Sequence, residues 1–293
     1  MPHLANYSLD QFRQDNVLPF VNVSKKLQHI RNCAVRALWY ELITFPKPGL
    51  VSLVDSGSHK DMNAKTFYKS ILALRHYFYK IANLGFNKSS FQLLRLAGVD
   101  AEKRMMLSTK GVNTHRGAIF ILGILAAAAA STDFNQDNKI TLGSKVKMLW
   151  GNDLIEHICN PSSNGSKVRE AFKVGGALGE ACSGFFSIYS FGLPVYRSVL
   201  KETSNFHLAR IQTFFSLMAN VEDTNLLHRG GLNGLIKAQS FAKDFLSYGG
   251  IYSQSWESRA KILHQDFIKM QLSPGGSADL LGACIFIDQL EGA

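Results

Sequence analysis

The chain has few cysteines, and their spacing matches neither a zinc site nor a disulfide framework. Its 293 residues include four of them, at positions 33, 159, 182 and 284, and no two form a C-x-x-C pair. This spacing argues against the common structural zinc sites and against a disulfide scaffold. Because all four lie among apolar or small residues, we expect them to be reduced core residues.

Long apolar runs and targeting signals are also missing. The apolar run of residues 118–130 is shorter than the roughly 20 residues needed to span a bilayer. The first residues, MPHLANYSLDQF, contain neither the basic nor the apolar segment of a signal peptide. We therefore expect a cytoplasmic protein without a membrane partner.

The common nucleotide and hydrolase signatures are absent. The sequence contains no Walker A motif, no Rossmann glycine motif, no G-x-S-x-G elbow and no H-E-x-x-H. Lysine and arginine number 32 against 22 aspartates and glutamates, a net charge of +10 that suits anionic partners such as nucleotides and coenzyme phosphates. These charges are scattered along the chain, which argues against nucleic acid as the partner.

Helical periodicity dominates the sequence, and strand-like alternation is scarce. Ser24 is a predicted N-cap, the helix before residue 108 is interrupted near Gly98, and a buried helix begins at His115. Further helices are predicted over about 140–158, 165–190, 206–220, 230–247, 255–271 and 277–290. With 46% hydrophobic residues and no linker or repeat, the chain is predicted to be an all-α, single-domain bundle of about ten helices. This domain covers residues 24–293, follows an N-terminal arm of residues 1–23, and has its active-site cleft at helix termini.

Polar side chains are concentrated at the predicted helix ends. In GVNTHRG, residues 111–117, Asn113 or Thr114 can cap the apolar helix, but one cap leaves His115 and Arg116 unexplained. Exposed amides at that helix start, together with these two side chains, predict an anion site. This segment belongs to one of five such clusters, which occupy residues 41–62, 101–120, 175–185, 220–232 and 272–281.

Each cluster also has a purely structural interpretation. Residues 41–62 can be a surface loop with solvated charges, and the glycines of 175–185 can serve tight helix packing with Glu180 at the surface. Capping alone accounts for Ser277 and Asp279 at the start of the last helix. Taken together, however, the clusters predict one cleft, with basic groups for phosphates and carboxylates for metal or acid–base chemistry.

The same clusters resemble the motif series of a known family. PKPGLV with GSHKDM, then GVNTHRGAIFILG, GEACSGF, DTNLLHRGG and LSPGGSADLL, are similar in order to the triphosphoribosyl-dephospho-CoA synthases, from about Glu41 to Leu290. The resemblance implies an all-α enzyme that joins ATP to 3′-dephospho-CoA and releases adenine. Its product is the precursor of the prosthetic group on the acyl carrier subunit of malonate decarboxylase or citrate lyase.

GLVSLVDSGSH is more similar to the malonate decarboxylase branch. The citrate lyase branch more often has aspartate where Ser52 stands and alanine where Ser58 stands. The chain also departs from the family pattern. Lys110 replaces a frequent glycine, and Val174-Gly175 with GALGEA replaces a His-Gly followed by GARGEA. Lys110 places a bulky cation at its loop. If the missing histidine or arginine binds substrate in relatives, we expect this protein to bind substrate differently or more weakly.

The reaction that the resemblance implies assigns roles to the polar residues. Ribosyl transfer gives C1′ of ATP oxocarbenium character, which a carboxylate stabilises. Asp223 and Asp279 are predicted to supply this stabilisation or to bind Mg²⁺ with Asp61, and Glu102 or Glu180 to act as the general base. The predicted nucleotide-binding residues are Lys47, His59, Lys60, Asn113, Thr114, His115, Arg116, Arg229, Ser273, Gly275 and Gly276.

Two other functions stay open from the sequence. A metal-dependent N-glycosidase or ADP-ribose-type hydrolase would use water in place of dephospho-CoA. A non-catalytic basic helical module would bind nucleic acid or an acidic partner. The resemblance itself implies one protein partner, the enzyme that transfers the prosthetic group to the acyl carrier protein, and it leaves the oligomeric state undetermined.

Overall fold

The computed structural model describes residues 9–131, 140–159 and 175–292, and side-chain surroundings from residue 22 onward. Within these ranges the chain forms eleven α-helices and no strands, which confirms the predicted all-α, single-domain bundle. Residues 1–8 of the predicted N-terminal arm lie outside the described ranges. The helices are α1 (Leu9–Ile43), α2 (Ala64–Phe86), α3 (Phe91–Ser108), α4 (Arg116–Ala130), α5 (Leu142–Cys159), α6 (Gly176–Ser183), α7 (Leu193–Thr203), α8 (Phe206–Asn220), α9 (Thr224–Ser247), α10 (Trp256–Lys269) and α11 (Gly275–Glu291).

Helix α4 forms the centre of the core. It is buried from Ala118 to Ala130 except at Phe120, as its continuous apolar sequence predicts. Helix α2 packs closely against it, because Gly85 has no side chain to collide with the backbone of Ala127. In the part of the chain that the structure describes, no helix combines the length and the apolar character needed to cross a membrane.

Several helix boundaries differ from those that the sequence predicts. Ser24 lies inside α1 and is therefore not an N-cap. Helix α3 continues without interruption past Gly98, because a single glycine inside a helix costs only about 1 kcal/mol. The sequence prediction missed α7, whose Pro194 looks like a helix breaker but occupies the first turn, where no hydrogen-bonded N–H is needed.

The cysteines agree with the prediction within the described residues. Cys33, Cys182 and Cys284 are all reduced, and Cys33 and Cys284 are buried in the core. The side chain of Cys159 lies outside the described surroundings.

The packing of α11 places several helix ends on one side of the molecule. Helix α11 contacts α1, α4 and α8, and α9 contacts both α8 and α11. The N-terminal ends of α4, α9 and α11 therefore lie near the C-terminal end of α1 and the loop of residues 44–63 that follows it.

Candidate active site

Asp223 joins the first turns of two helices. It is the N-cap of α9, where its Oδ1 accepts hydrogen bonds from the N–H groups of Asn225 (2.9 Å) and Leu226 (3.3 Å). Its Oδ2 accepts the N–H (2.7 Å) and the hydroxyl (3.0 Å) of Ser277 in α11. Gly276 fits against the same carboxylate, where a Cβ atom would come within 3.0 Å of Oδ1.

Asp279 connects α11 to α4. Its carboxylate accepts the N–H of Ala118 in the first turn of α4, and a methyl group on Gly117 would overlap that carboxylate. Ser277 and Asp279 therefore do not act as caps of α11, as the capping interpretation has it, because their polar groups bind neighbouring helices. The positive ends of three helices thus point at two aspartates.

Negative charge is in excess at this point. Glu41, Asp223 and Asp279, which we call the carboxylate centre, lie close enough for Glu41 and Asp223 to add to the effect of burial and raise the pKa of Asp279 well above its usual range. Burial also raises the pKa of Asp223, although the hydrogen bonds from Ser277, Asn225 and Gly276 oppose this. Such a group of carboxylates favours the arrival of a proton or another cation.

Lys47 lies beside the carboxylate centre. It is only 1% exposed, so the interpretation of its loop as a surface segment with solvated charges is wrong for this residue. Its Nζ donates to the backbone carbonyl of Glu41 (2.6 Å) and forms an ion pair with the Glu41 carboxylate. Burial lowers the pKa of Lys47, in spite of the opposing effect of Glu41.

The GVNTHRG segment contains the N-terminal cap of α4 and two buried polar groups without hydrogen-bond partners among the described residues. His115 holds the N-cap position of α4, and the side chain of Asn113 accepts the N–H of Arg116 (3.2 Å). Among the residues that the structure describes, the hydroxyl of Thr114 and Nε2 of His115 are buried without a hydrogen-bond partner. Arg116 turns to the surface, where it forms an ion pair with Glu102 of α3. Two buried polar groups at a helix start therefore lack partners, which is uncommon unless a ligand supplies them.

Lys110, one of the departures from the family pattern, precedes this segment. It is exposed, and its φ of 59° lies in the left-handed region that favours glycine. The frequent glycine of relatives therefore suits the backbone here, and lysine adopts the same conformation at a cost of about 1 kcal/mol. Val174, the other departure, lies outside the described residues.

A second hydrogen-bonded chain connects His59, Arg229 and Ser273. Nδ1 of His59 accepts from Arg229 (3.0 Å), and Nε2 lies 2.9 Å from Oγ of Ser273. Burial and the charge of Arg229 lower the pKa of His59 to about 4, so the ring is neutral near pH 7 and donates its Nε2–H to Ser273. Arg229 also donates to the carbonyls of Ser58 and Gln271 (both 3.2 Å). These hydrogen bonds hold the loop of residues 44–63 against the turn before α11.

The remaining predicted ligands are less enclosed. Lys60 and Asp61 are exposed, and Asp61 lies 3.8 Å from Nδ1 of His59. Gly275, at the start of α11, fits against the amide side chain of Asn225.

Glu180 is held apart from these groups. Its carboxylate accepts the hydroxyl (2.5 Å) and the N–H (3.2 Å) of Ser187. Glu180 is partly buried, between the surface position of the packing interpretation and a core residue, and this burial raises its pKa. The glycines around it serve packing only in part: Gly184 ends α6 with φ of 74°, whereas a side chain on Gly179 would meet open space.

Sequence reasoning missed two members of the site. Glu41 is the first residue of the cluster 41–62, and the sequence suggests no role for it, although it is the ion-pair partner of Lys47. Ser70 lies in the apolar helix α2, fully buried, with its Oγ 2.6 Å from Nδ1 of His115. The only signal for Ser70 was a hydroxyl on the apolar face of a predicted helix.

Gly117 provides a direct test of the contact between α4 and Asp279. We expect Gly117→Ala to push α4 away from α11, because the added methyl group overlaps the Asp279 carboxylate. The free energy of unfolding should fall by about 1–3 kcal/mol, as measured by urea denaturation. The matched control is Gly282→Ala in α11, where the methyl group meets no atom within 4 Å and stability should be kept or increased. Equal stability of the two variants would contradict the described contact.

The fold and the site define an all-α protein with a buried carboxylate centre at converging helix starts and unsatisfied donors beside it. The chain belongs to the CitG family of ATP:dephospho-CoA triphosphoribosyl transferases, whose family model matches residues 27–293. It is therefore a transferase, and the resemblance seen in its motifs is confirmed.

Its relatives cover nearly the whole chain. It is 37% identical over 276 residues to a protein of Acinetobacter calcoaceticus named probable 2-(5″-triphosphoribosyl)-3′-dephosphocoenzyme-A synthase, covering 93% of this chain and 94% of the relative. A protein of the same name from Vibrio cholerae serotype O1 is 34% identical, covering 89% of this chain and 88% of the relative. A relative from Salmonella typhi is 36% identical, covering 88% and 89%. No solved structure is significantly similar to the chain.

Proposed function

We propose that this protein transfers the triphosphoribosyl group of ATP to 3′-dephospho-CoA. The product is 2′-(5″-triphosphoribosyl)-3′-dephospho-CoA, and adenine is released. The observation that carries this proposal is the carboxylate centre beside the unsatisfied Thr114 and His115 at the start of α4. One half of this arrangement suits a positive reaction centre, and the other half suits phosphate oxygens.

In the proposed reaction, Asp279 faces the positive charge that develops at C1′ of ATP. The bond between C1′ and the adenine nitrogen breaks, its electrons leave with adenine, and a ribose hydroxyl of dephospho-CoA forms the new C1′–O bond. Positive charge develops at C1′ before that bond is complete. Burial and, to a smaller extent, the charges of Glu41 and Asp223 raise the pKa of Asp279, so a developing cation beside it relieves the repulsion among these carboxylates.

The phosphate half lies at the N-terminal end of α4. Thr114 and His115 offer buried polar groups, and Arg116 with Glu102 lies at the exposed edge. Lys47 lies close enough to His115 for its charge to add to the effect of burial in lowering the pKa of that imidazole. We assign the triphosphate to this end, because helix starts and lysine favour polyanions. Hydrogen bonds among His59, Arg229 and Ser273 hold the loop of residues 44–63, which also carries Lys47, against the turn before α11.

Mg²⁺ was predicted at Asp61, Asp223 and Asp279, and these residues do not fit that role as a set. Within the described ranges, no three His, Cys, Asp or Glu side chains are arranged to hold a metal ion. Asp61 is exposed near His59, and both oxygens of Asp223 already accept hydrogen bonds. No step of the proposed reaction therefore depends on a metal ion held by these three residues.

We assign the general base to Glu180 rather than to Glu102. Burial raises the pKa of Glu180, which favours a base, whereas the carboxylate of Glu102 is ion-paired with Arg116. Because Glu180 is hydrogen-bonded to Ser187 apart from the carboxylate centre, this role requires the attacking ribose hydroxyl to bind within reach of α6. Glu180→Gln should lower the rate of adenine release by about 10²-fold, and Glu102→Gln should lower it much less. Both rates are measured with saturating ATP and dephospho-CoA. A larger loss in Glu102→Gln would transfer the role to that residue.

We propose the malonate decarboxylase branch as the pathway, with the enzyme that transfers the prosthetic group as the protein partner. Two branch-marking serines support this choice. Ser52 accepts the N–H of Val54 (3.1 Å), and Ser58 donates to the carbonyl of Leu272 (2.6 Å). Both serines form hydrogen bonds that fix the loop of residues 44–63, and at position 52 the serine adds no negative charge, unlike the aspartate that is more frequent in the citrate lyase branch. Because both branches use the same product, binding of this protein to the transfer enzyme of each branch tests the assignment: binding to the citrate lyase transfer enzyme alone would contradict it.

Mass spectrometry of a reaction with ATP, Mg²⁺ and 3′-dephospho-CoA tests the proposed transfer. We expect free adenine together with a product that keeps the triphosphate. Adenine released equally well without dephospho-CoA would show the N-glycosidase or hydrolase instead. Absence of turnover, together with salt-dependent binding of generic DNA, would favour the non-catalytic helical module.

A further inference from the structure

The contact between Ser70 and His115 carries an inference about the protonation of the imidazole. His115 is 3% exposed, and its Nδ1 lies 2.6 Å from Oγ of Ser70. Burial and the charge of Lys47 lower the pKa of His115 to about 3, so the ring is neutral near pH 7. A neutral imidazole carries its hydrogen on one nitrogen only, and the partner of the other nitrogen decides which one.

Counting unsatisfied groups distinguishes the two tautomers. Among the described contacts, the hydroxyl of Ser70 has one hydrogen-bond partner, His115. If Ser70 donates to Nδ1, the hydroxyl hydrogen is satisfied, and only the Nε2–H lacks a partner. If Nδ1–H donates to Ser70 instead, both the hydroxyl hydrogen and the Nε2 lone pair lack partners. Because each buried unsatisfied group is costly, the first arrangement is favoured.

We propose that Ser70 is a positioning residue that fixes His115 as a neutral hydrogen-bond donor, whose Nε2–H binds a phosphate oxygen of a nucleotide substrate. This inference rests on the proposed function for the identity of the substrate. Nδ1 faces α2, so Nε2 lies on another side of the ring, where it is buried and has no hydrogen-bond partner among the described residues. The hydroxyl of Thr114, the preceding residue at the start of α4, is also buried without such a partner. The neutral ring adds no charge next to Lys47, yet it supplies the donor that a phosphate oxygen needs.

The tautomer can be measured without turnover. Long-range ¹H–¹⁵N correlation spectra of the full chain, with His115 assigned by its loss in His115→Gln, distinguish a protonated Nε2 from a protonated Nδ1. We expect protonated Nε2 in the wild type and in Ser70→Thr, which keeps the hydroxyl, and a mixture in Ser70→Ala. Protonated Nδ1 in the wild type would overturn the proposal, whatever the activity of the enzyme.

The same spectra identify the substrate that His115 contacts. ATP alone and dephospho-CoA alone are added to the full chain in separate titrations. A shift of the His115 Nε2 resonance with ATP assigns the donor to the triphosphate, and a shift with dephospho-CoA alone assigns it to the coenzyme. The absence of a shift with either nucleotide at saturation would overturn the binding role.

Two substitutions of His115 distinguish a donor from a base. A glutamine amide can place an N–H near the position of Nε2, an asparagine amide lies near Nδ1, and neither can accept a proton as a base. We expect His115→Gln to lose about 10-fold in kcat/KM and His115→Asn about 100-fold, mostly through KM. Equal and complete loss in both variants, with folding intact, would contradict the donor role. If the wild type releases no adenine, the proposed function fails, while the measured tautomer still decides this inference.

Discussion

Replacing Asp279 by asparagine is expected to lower the rate of adenine release by about 10³-fold and, at pH 7, to stabilise the protein. The loss of rate follows from removing the negative charge that faces the developing cation at C1′. The gain in stability follows from the same charge, because burial and the charges of Glu41 and Asp223 disfavour an ionised Asp279. An amide keeps an oxygen for the N–H of Ala118 and brings no charge into the carboxylate centre.

The sign of the pH dependence follows from the direction of the pKa shift. The folded protein holds the proton of Asp279 more tightly than the unfolded chain does. The stability of the wild type is therefore highest below the unfolded pKa of aspartate, and falls as the pH rises toward the folded pKa. Asparagine does not titrate, so the stability advantage of Asp279→Asn should be present at pH 7 and disappear near pH 4 and below.

Urea denaturation from pH 3.5 to pH 8 and an adenine-release assay measure the two effects. The matched control is Asp288→Asn in the same helix, where the carboxylate pairs with the half-exposed Arg197 (2.8 Å). That control should keep its activity and change stability by less than about 1 kcal/mol. An Asp279→Asn variant that keeps wild-type turnover, or that is less stable at pH 7, would show that Asp279 is a structural carboxylate.

Local sequence patterns predicted the helices well, because a helix requires information from only a few neighbouring residues. The predicted helix of residues 206–220 matches α8, and the apolar run matches α4. The sequence pattern predicts a helix that starts at about residue 230. The helix instead begins at Thr224 and passes through Gly231, which adopts φ of 60°. Glycine conformation depends on packing, which a local pattern does not contain.

The candidate site was predictable only as a set of fragments. Five polar clusters identified which helix ends to examine, but their partners depend on how the helices pack. Ser70 is 45 residues before His115, and Asp223 meets Ser277 across 54 residues. Two predicted site residues, Arg116 and Glu102, form an ion pair with each other at the exposed edge of the site, which the sequence did not predict. The residue types predicted the kind of chemistry, but only the packing of the helices distinguishes the contacts of Asp223 from those of Asp279.

Asp223→Ala is expected to lower the free energy of unfolding by about 3 kcal/mol or more. The carboxylate accepts the N–H groups of Asn225 and Leu226 at the start of α9, and the N–H and hydroxyl of Ser277 in α11. Alanine leaves these donors without their acceptor, in a place where water is excluded. Activity falls with stability, because the loss separates α9 from α11 and moves Asp279 away from its position at α4.

Urea denaturation and the kinetics of the folded fraction distinguish this supporting role from direct catalysis. Asp223→Asn keeps one carbonyl oxygen for the first turn of α9 and should lose less stability than alanine, while Asp266→Ala, an exposed carboxylate paired with Lys269, controls for loss of surface charge. Because Asp223 acts by holding two helix starts, the activity that remains in Asp223→Asn should exceed that of Asp279→Asn although its stability is lower. The two aspartates share one centre, yet substitution should change stability in opposite directions. Asp223 has donors for both of its oxygens, whereas Asp279 is buried beside two other carboxylates and has the N–H of Ala118 as its donor. The reverse order of activities would place the reacting cation at Asp223.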